Sequence, residues 1–453
     1  MSLKNRVITG FAWFSFSDIS ITAMNFLAAI LTIQALGTFE FGILTLSLSA
    51  FAILSLFLDM GISTFLVSDI AQEMGKGKYS RAKSLLQSYR KLGLFTGIAA
   101  SAIAFLSSFY LRSLYNELVG NMMAAISVFL LLNSIKNIFT VTFHGLQDFK
   151  SVGMISVYEM FFRLVFVIIF LVFLNKGIVF VIASYSIALL LSILLMRGQY
   201  KRHMAQFSKI QASEKGLFAK YVRSHGKWVI LSFPLKRTGE QIHYWITEFF
   251  LGVNAVAILN VAMRFYSLLS ISFQSLEGIL TPIVSEKIGK SINSARFILA
   301  RNLKYAFWAS IVIMLASVSL SETAVRLLFP PAYLKSVPLF NLLAITLLFA
   351  PFSLFLRTFF TVTKNQKYQF YVFMLDLPLL IFFEVVLVKY FGLIGIPLSL
   401  IANGMTSLLI RYYFLRFFRH RIKISLSELC KIDDYDRKLL KSAKRNVRIR
   451  FGF

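Results

Sequence analysis

The side chains able to do chemistry in this 453-residue chain are ionisable groups set deep inside long apolar runs. Seven are basic: Lys136, Arg163, Lys236, Arg237, Arg264, Arg357 and Arg411. A charge at the middle of a bilayer is costly, so it normally faces a cavity or a partner. Arg357 and Arg411 lie near the ends of their runs and can extend to lipid headgroups. Arg163, Lys236, Arg237, Arg264 and Lys136 lie deeper. A guanidinium fork matches phosphate oxygens and an ammonium supplies a point charge, so these five can hold an anion. Glu159 precedes Arg163 by four residues and Lys236 precedes Glu240 by four, the spacing of a helical ion pair. For those residues mutual neutralisation competes evenly with anion binding. Arg264 has no acid within four residues, and Arg237 has only Glu240, shared with Lys236. They are the first choices for an anion site. Asp18 and Asp376 have no basic neighbour on their own helices. Such a carboxylate takes up a proton, binds a cation or pairs with an arginine on another helix. With Glu159 and Glu240 they are the candidates for ion coupling. His243, beside Lys236 and Glu240, reads as a structural polar residue.

Other chemistries lack their parts. Cys430 is the single cysteine, and the five histidines form no HExxH motif. No Walker-type or dinucleotide-type glycine loop is present. No metal, no cofactor and no enzymatic activity are expected.

The elements that position the buried charges are membrane helices. Hydrophobic side chains make up 57% of the chain and charged ones only 15%, against about 25% charged in a soluble domain. A bilayer core needs roughly 20 apolar residues per helix. Twelve spans satisfy this: 7–36, 41–68, 92–112, 121–143, 152–174, 177–197, 227–251, 254–284, 304–322, 338–362, 368–389 and 392–415. With the N-terminus inside, and with charges at the very ends of spans (Arg197, Lys227 and Lys304 on one side, Arg112 and Lys389 on the other) assigned to the adjoining segments, 36 Lys and Arg fall on the cytoplasmic side and 5 on the outer side. This positive-inside pattern predicts both termini in the cytoplasm of a multi-pass cell-membrane protein. It also accounts for the net charge of +28 without nucleic acid. The cytoplasmic stretches 69–91 and 198–226 and the tail after Arg416 are long enough for structure of their own. Their Lys and Arg either stop translocation or meet anionic lipid headgroups, at about 1 kcal/mol per charge.

The connector 198–226 divides the spans six and six. Gly37-Thr-Phe-Glu-Phe-Gly-Ile43-Leu44 sits where Gly252-Val-Asn-Ala-Val-Ala-Ile258-Leu259 sits in the second half. Val67-Ser68-Asp69 likewise matches Val284-Ser285-Glu286. Six is even, so both halves run the same way, and a parallel repeat about an axis normal to the membrane follows. The predicted architecture is all-α and polytopic, with about twelve helices in two six-helix bundles. Its parts are a first bundle at 1–197, the connector 198–226, a second bundle at 227–415 and a basic tail at 416–453.

These landmarks also resemble a family. Gly37 to Gly42, then Leu58-Asp59-Met60-Gly61-Ile62-Ser63 and Asp69-Ile70-Ala71, are similar to the second helix of the O-antigen-type (Wzx-like) polysaccharide flippases. These belong to the multidrug/oligosaccharidyl-lipid/polysaccharide exporter superfamily. Leu251-Gly252 with Ala257 to Ala262, Leu280-Thr281-Pro282-Ile283-Val284-Ser285 and Gly392-Leu393-Ile394-Gly395-Ile396-Pro397 fit the second half. One departure is Ser68, where family members often carry a basic residue, so no contact is carried over from that position. The resemblance implies bundles facing a central cavity and alternating-access export of an isoprenoid-(pyro)phosphate-linked oligosaccharide for cell-surface polysaccharide biosynthesis. It also implies a polysaccharide polymerase and glycosyltransferases as partners. The alternative is an ion-coupled small-molecule or multidrug antiporter of the same superfamily, whose cavity would favour acids. A membrane-embedded glycosyltransferase or polymerase would need a paired-carboxylate motif or a large hydrophilic domain, and neither is visible.

Overall fold

The computed structural model of the chain describes residues 3–114, 117–211, 216–290, 292–363 and 365–415; Cys430 and the tail 416–453 lie outside them. The described residues form helices and turns with no strand. Apolar runs in lipid have no water to satisfy the backbone, so the helix is the form in which they cross. The first half holds α1 (Leu3–Ala35), α2 (Thr38–Leu54), α3 (Leu56–Asp59), α4 (Ile62–Gly75), α5 (Tyr79–Leu114), α6 (Glu117–Gly145), α7 (Phe149–Val167) and α8 (Ile178–Ala205). Next come α9 (Leu217–Tyr221) and a π-helical turn, Val222–Gly226. The second half holds α10 (Lys227–Gly239), α11 (Ile242–Leu251), α12 (Val253–Lys290), α13 (Ile292–Leu328), α14 (Ser336–Ile345), α15 (Ala350–Val362), α16 (Gln366–Phe391) and α17 (Gly395–Leu415).

Among the described residues, ten stretches are long and apolar enough to cross a membrane. One of them, 367–415, contains both α16 and α17, and the expected span 227–251 is divided into α10 and α11, which gives the twelve. The basic stretches have less structure of their own than expected. In 69–91, α4 runs to Gly75 and α5 starts at Tyr79, so only three residues form the turn. In 198–226, α8 continues to Ala205 and α9 leads through the π turn directly into α10. Phe207 and Leu217 are buried with Leu66, Ile70, Leu85 and Leu86 of the first half. Lys83 Nζ donates to the Phe207 and Ile210 carbonyls at 2.7 and 2.6 Å, which ties the connector to that half.

Two spans are broken where the halves meet. Between α3 and α4, Met60 and Gly61 take φ values of 48° and 76°. The broken turn is braced by α5: Tyr89 Oη donates to Asp59 at 2.8 Å, and Thr96 Oγ1 to the Leu58 carbonyl at 2.9 Å. A Cβ at Gly61 would lie 3.0 Å from Phe233 of α10. That helix contains Pro234 and ends at Gly239, where the chain bends into α11. Proline removes a backbone donor and crowds the turn before it, inside α10; the break itself falls at Glu240 and Gln241.

The internal repeat reaches further than the glycine pattern. Gly37 and Gly252 precede α2 and α12, and the same offset of 215 residues pairs Trp13 with Trp228 and Ser17 with Ser232. Asp148 and Asn365 are the N-cap residues of α7 and α16. Counted from those caps, Glu159 and Asp376 occupy the same place, eleven residues on. The packing agrees. Gly153 of α7 lies against Ser17 and Trp13 of α1, and Phe370 of α16, five residues after its cap as Gly153 is after Asp148, meets Trp228 of α10.

Candidate functional site

The halves close on each other at the end away from the basic loops. A Cβ on Gly42 of α2 would lie 2.2 Å from the Val253 carbonyl of α12, so only glycine allows the two repeat copies to cross there. Thr38 Oγ1 donates to Asn254 Oδ1 at 2.9 Å, and Gln34 Nε2 to the Leu328 carbonyl at 3.0 Å. Ile33, Phe41 and Leu44 share one apolar core with Ala257, Val261, Phe329 and Tyr333. Further along, Trp245 Nε1 of α11 donates to Ser49 Oγ of α2 at 3.0 Å. Toward the basic end the second half meets the first through Phe233 at Gly61, and through Gly226 at Phe65.

The expected site residues fall into separate clusters around this crossing. In the first half Glu159 of α7 takes both Lys136 of α6 and Arg163 of its own helix. Arg163 also stands over the Tyr185 ring of α8, 4.1 Å from its centroid. The helical pair expected from the spacing of Glu159 and Arg163 is present, and Lys136 joins it. Two cations share one carboxylate, which leaves one positive charge in excess.

The second half holds Lys236, Arg237 and Glu240 at the bend between α10 and α11. Glu240 is 2.9 Å from Arg237 Nη1 and 3.7 Å from Lys236 Nζ. All three side chains are well exposed. Arg264 of α12 has neutral partners. Its Nε donates to Asn260 Oδ1 at 2.8 Å, and its guanidinium lies 5.8 Å from the centroid of Phe41 on α2. It therefore sits at the seam between the halves. Asn260 in turn donates to Tyr244 Oη at 3.2 Å.

Asp376 of α16 accepts from Ser407 Oγ at 2.8 Å and lies 3.7 Å from Arg411 Nη2, both on α17. This corrects the expectation for Arg411, which is 7% exposed and held inside the bundle instead of reaching to headgroups. Its position near a helix end was misleading because its face of α17 is covered by α16. Arg357 of α15 is half-buried. Asp18 of α1 is exposed, with no partner recorded among the described residues. His243 is buried, as expected of a structural group, yet its Nδ1 has no partner among the described residues. Sequence reasoning passed over Glu384 of α16, which is fully buried with both carboxylate oxygens unpartnered among the described residues. The signal was available: like Asp376, it has no basic residue within four positions. Among the described residues no group of three metal-ligating side chains occurs.

Comparison with known proteins bears on what these clusters serve. Residues 7–287 match the family described as polysaccharide biosynthesis protein, and residues 240–386 match the family MatE. An uncharacterized membrane protein of Methanocaldococcus jannaschii is 22% identical over 442 residues, covering 92% of this chain and 85% of the relative. An inward-facing conformation of a multidrug resistance MATE family transporter of the MOP superfamily superposes with a TM-score of 0.75 at 16% identity, over 91% of this chain and 96% of that one. An outward-facing conformation of a multidrug resistance MATE family transporter of that superfamily gives 0.68 at 15% identity, over 94% and 96%. Both are likenesses of fold.

Proposed function

We propose that this chain, a membrane transporter that belongs to the polysaccharide biosynthesis protein family of the multidrug/oligosaccharidyl-lipid/polysaccharide exporter superfamily, flips an isoprenoid-(pyro)phosphate-linked oligosaccharide from the cytoplasmic to the outer leaflet by alternating access. The observation that carries this reading is the sign of the charge, at the seam and within the first half. Arg264 meets the first half with only neutral partners recorded, and Lys136 and Arg163 together exceed Glu159 by one charge. A phosphate group complements both. The boundaries at 197, 226 and 415 then separate two rocking bundles, a connector and a tail.

The basic loops orient the molecule with that end in the cytoplasm. Closure at the opposite end then makes this an inward-open state, ready to receive the sugar–phosphate head while the isoprenoid tail stays in lipid. Outward movement of one negative charge through the membrane potential releases about 2.3 kcal/mol per 100 mV. Basic loops and tail would rest on anionic lipids, and a polymerase would take the exported product.

A second reading, an ion-coupled multidrug antiporter, draws on the MatE match and the structural neighbours. A cationic drug would have to enter past Arg264, Lys236 and Arg237, which argues against it. The deciding experiment is transport in proteoliposomes with an imposed potential. Flipping of a labelled lipid-linked oligosaccharide is the expected result; efflux of a cationic dye with no flipping overturns the proposal in favour of the antiporter. Cys430 reports the orientation: a membrane-impermeant thiol reagent should label it only after cells are opened.

A further inference from the structure

The repeat shows which groups the crossing of α2 and α12 needs for packing alone. By the offset of 215 residues, Tyr244, Asn260 and Arg264 of the second half correspond to Ala29, Thr45 and Ser49 of the first. Ala29 is 5% exposed and brings no polar side-chain group. Thr45 Oγ1 donates to the Phe41 carbonyl of its own helix at 2.9 Å. The first half therefore builds this level without a charge. The second half places a phenol, an amide and a guanidinium there.

These three form a directed chain. Arg264 Nε can only donate, so the Asn260 atom 2.8 Å from it is the amide oxygen. The Asn260 nitrogen then donates to Tyr244 Oη at 3.2 Å. A flipped amide would set two donors against each other at Arg264. The phenol on α11 thus matches the one amide orientation that serves the guanidinium. Across the seam the guanidinium lies 5.8 Å from the centroid of Phe41 on α2. Its N–H groups on Nη1 and Nη2 are the edge that matches two phosphate oxygens, and among the described residues they make no hydrogen bond.

The turn of α11 that carries the phenol is also tied to the first half. Trp245 Nε1, on the next residue, donates to Ser49 Oγ at 3.0 Å, and Ser49 is the repeat equivalent of Arg264. Tyr244 and Trp245 therefore hold one turn of α11 between the two repeat copies, the first bound to α12 and the second to α2.

The amide at position 260 separates orientation from charge. A carboxylate four residues before an arginine makes a helical ion pair, and the first half has one in Glu159 and Arg163. Asn260 stands at the same spacing from Arg264 and is the neutral isostere. It accepts from the guanidinium as a carboxylate would, and it leaves the positive charge uncompensated.

We infer that Asn260 and Tyr244 are positioning residues for Arg264, which hold its guanidinium in place without neutralising it and so keep its Nη edge for the phosphate of the cargo. The inference rests on the flippase reading and adds the source of its selectivity: preference for an anion depends on the neutrality of one side chain.

The test is titration of farnesyl diphosphate into the full-length protein in nanodiscs of phosphatidylcholine, which carries no net charge to compete. Arg264→Ala should weaken binding about 10- to 150-fold. Asn260→Asp should weaken it by a similar factor, because the guanidinium stays in place and loses its charge to an ion pair. Its unfolding temperature should be no lower than that of the wild type, and loss of binding without loss of stability is not the mark of a structural residue. Tyr244→Phe should weaken binding about 2- to 10-fold. Asn260→Gln, which keeps a neutral amide, should retain more binding than Asn260→Ala. Wild-type binding by Asn260→Asp or by Tyr244→Phe, with the loss in Arg264→Ala intact, overturns the positioning role alone. Wild-type binding by Arg264→Ala overturns the anion reading of the seam on which that role rests.

Discussion

The two halves place an acid at the same point of an equivalent helix and surround it differently. Glu159 in the first half is gripped by Lys136 and Arg163; Asp376 in the second has Arg411 and the Ser407 hydroxyl. The first half thus gathers its cations about one carboxylate, while the second keeps Arg264 apart on neutral partners at the seam. A buried cation held by an acid contributes first to the bundle, and one held by amide and aromatic groups is available to an incoming anion. The repeat makes this a comparison of positions and not only of residue types.

The largest effect should come from Glu159→Gln. It leaves two largely buried cations without their counter-charge, and breaking a buried pair from one side costs about 3–5 kcal/mol. Thermal unfolding in detergent should show the loss directly. Asp376→Asn should cost less, because one cation is stranded and the Ser407 hydroxyl keeps an amide acceptor. Equal losses would erase the distinction between the acids.

Arg264→Ala should act on transport and leave stability nearly unchanged. A charge-assisted hydrogen bond to cargo is worth about 1.5–3 kcal/mol, or roughly 10- to 150-fold in the flipping rate. Arg264→Lys should recover only part, since the ammonium lacks the fork. Wild-type flipping by the alanine variant would move the anion site to Arg237 and the first-half cluster.

Gly42→Leu sharpens the comparison at the crossing of the repeat copies. A side chain there meets the Val253 carbonyl, and overpacking of this kind costs about 1–3 kcal/mol only while the seam is closed. The expected result is a shift of about 5- to 150-fold toward the open seam, read from the distance between labels at positions 38 and 254.

Hydropathy and loop charge made the twelve spans, the two halves and their parallel sense legible, because lipid imposes helices and the Lys/Arg bias is strong. Partners across helices were hidden. Lys136 is 23 residues from Glu159, and no spacing rule links them. Arg411 looked peripheral by its nearness to the end of its run and the basic tail, whereas the face of its helix decides its surroundings. Glu384 carried the same mark as Asp376, an acid without a nearby base. Its full burial was not legible, because spacing does not show which face of α16 is covered. Leu58 to Ser63 stood out as a motif, but the expected span 41–68 ran through it unbroken; the break at Met60 and Gly61, and its role as the seat of Phe233, depend on the packing of the two halves.

The smallest expected effect compares the equivalent caps. Asp148 accepts from Ser151 N at 3.1 Å and Ser151 Oγ at 2.6 Å, and His203 Nε2 lies 2.8 Å from it. Asn365 makes no side-chain cap bond, and its amide donates instead to the Thr363 carbonyl at 3.0 Å. Asp148→Ala should therefore cost about 1 kcal/mol, and Asn365→Ala less. The acid cap also brings a pH dependence that the amide cannot. Burial raises the Asp148 pKa, but the hydrogen bonds from Ser151 and His203 outweigh it and hold the carboxyl below its ordinary value of 3.8. A depressed carboxyl contributes stability that is fully present above the unfolded value and is lost as pH falls through the folded one. Unfolding curves of wild type and Asp148→Asn should differ at neutral pH and converge in strong acid, while Asn365→Ala keeps a constant offset. A wild-type to Asp148→Asn difference that stays constant into strong acid would remove the charge from the account of this cap and leave only its geometry.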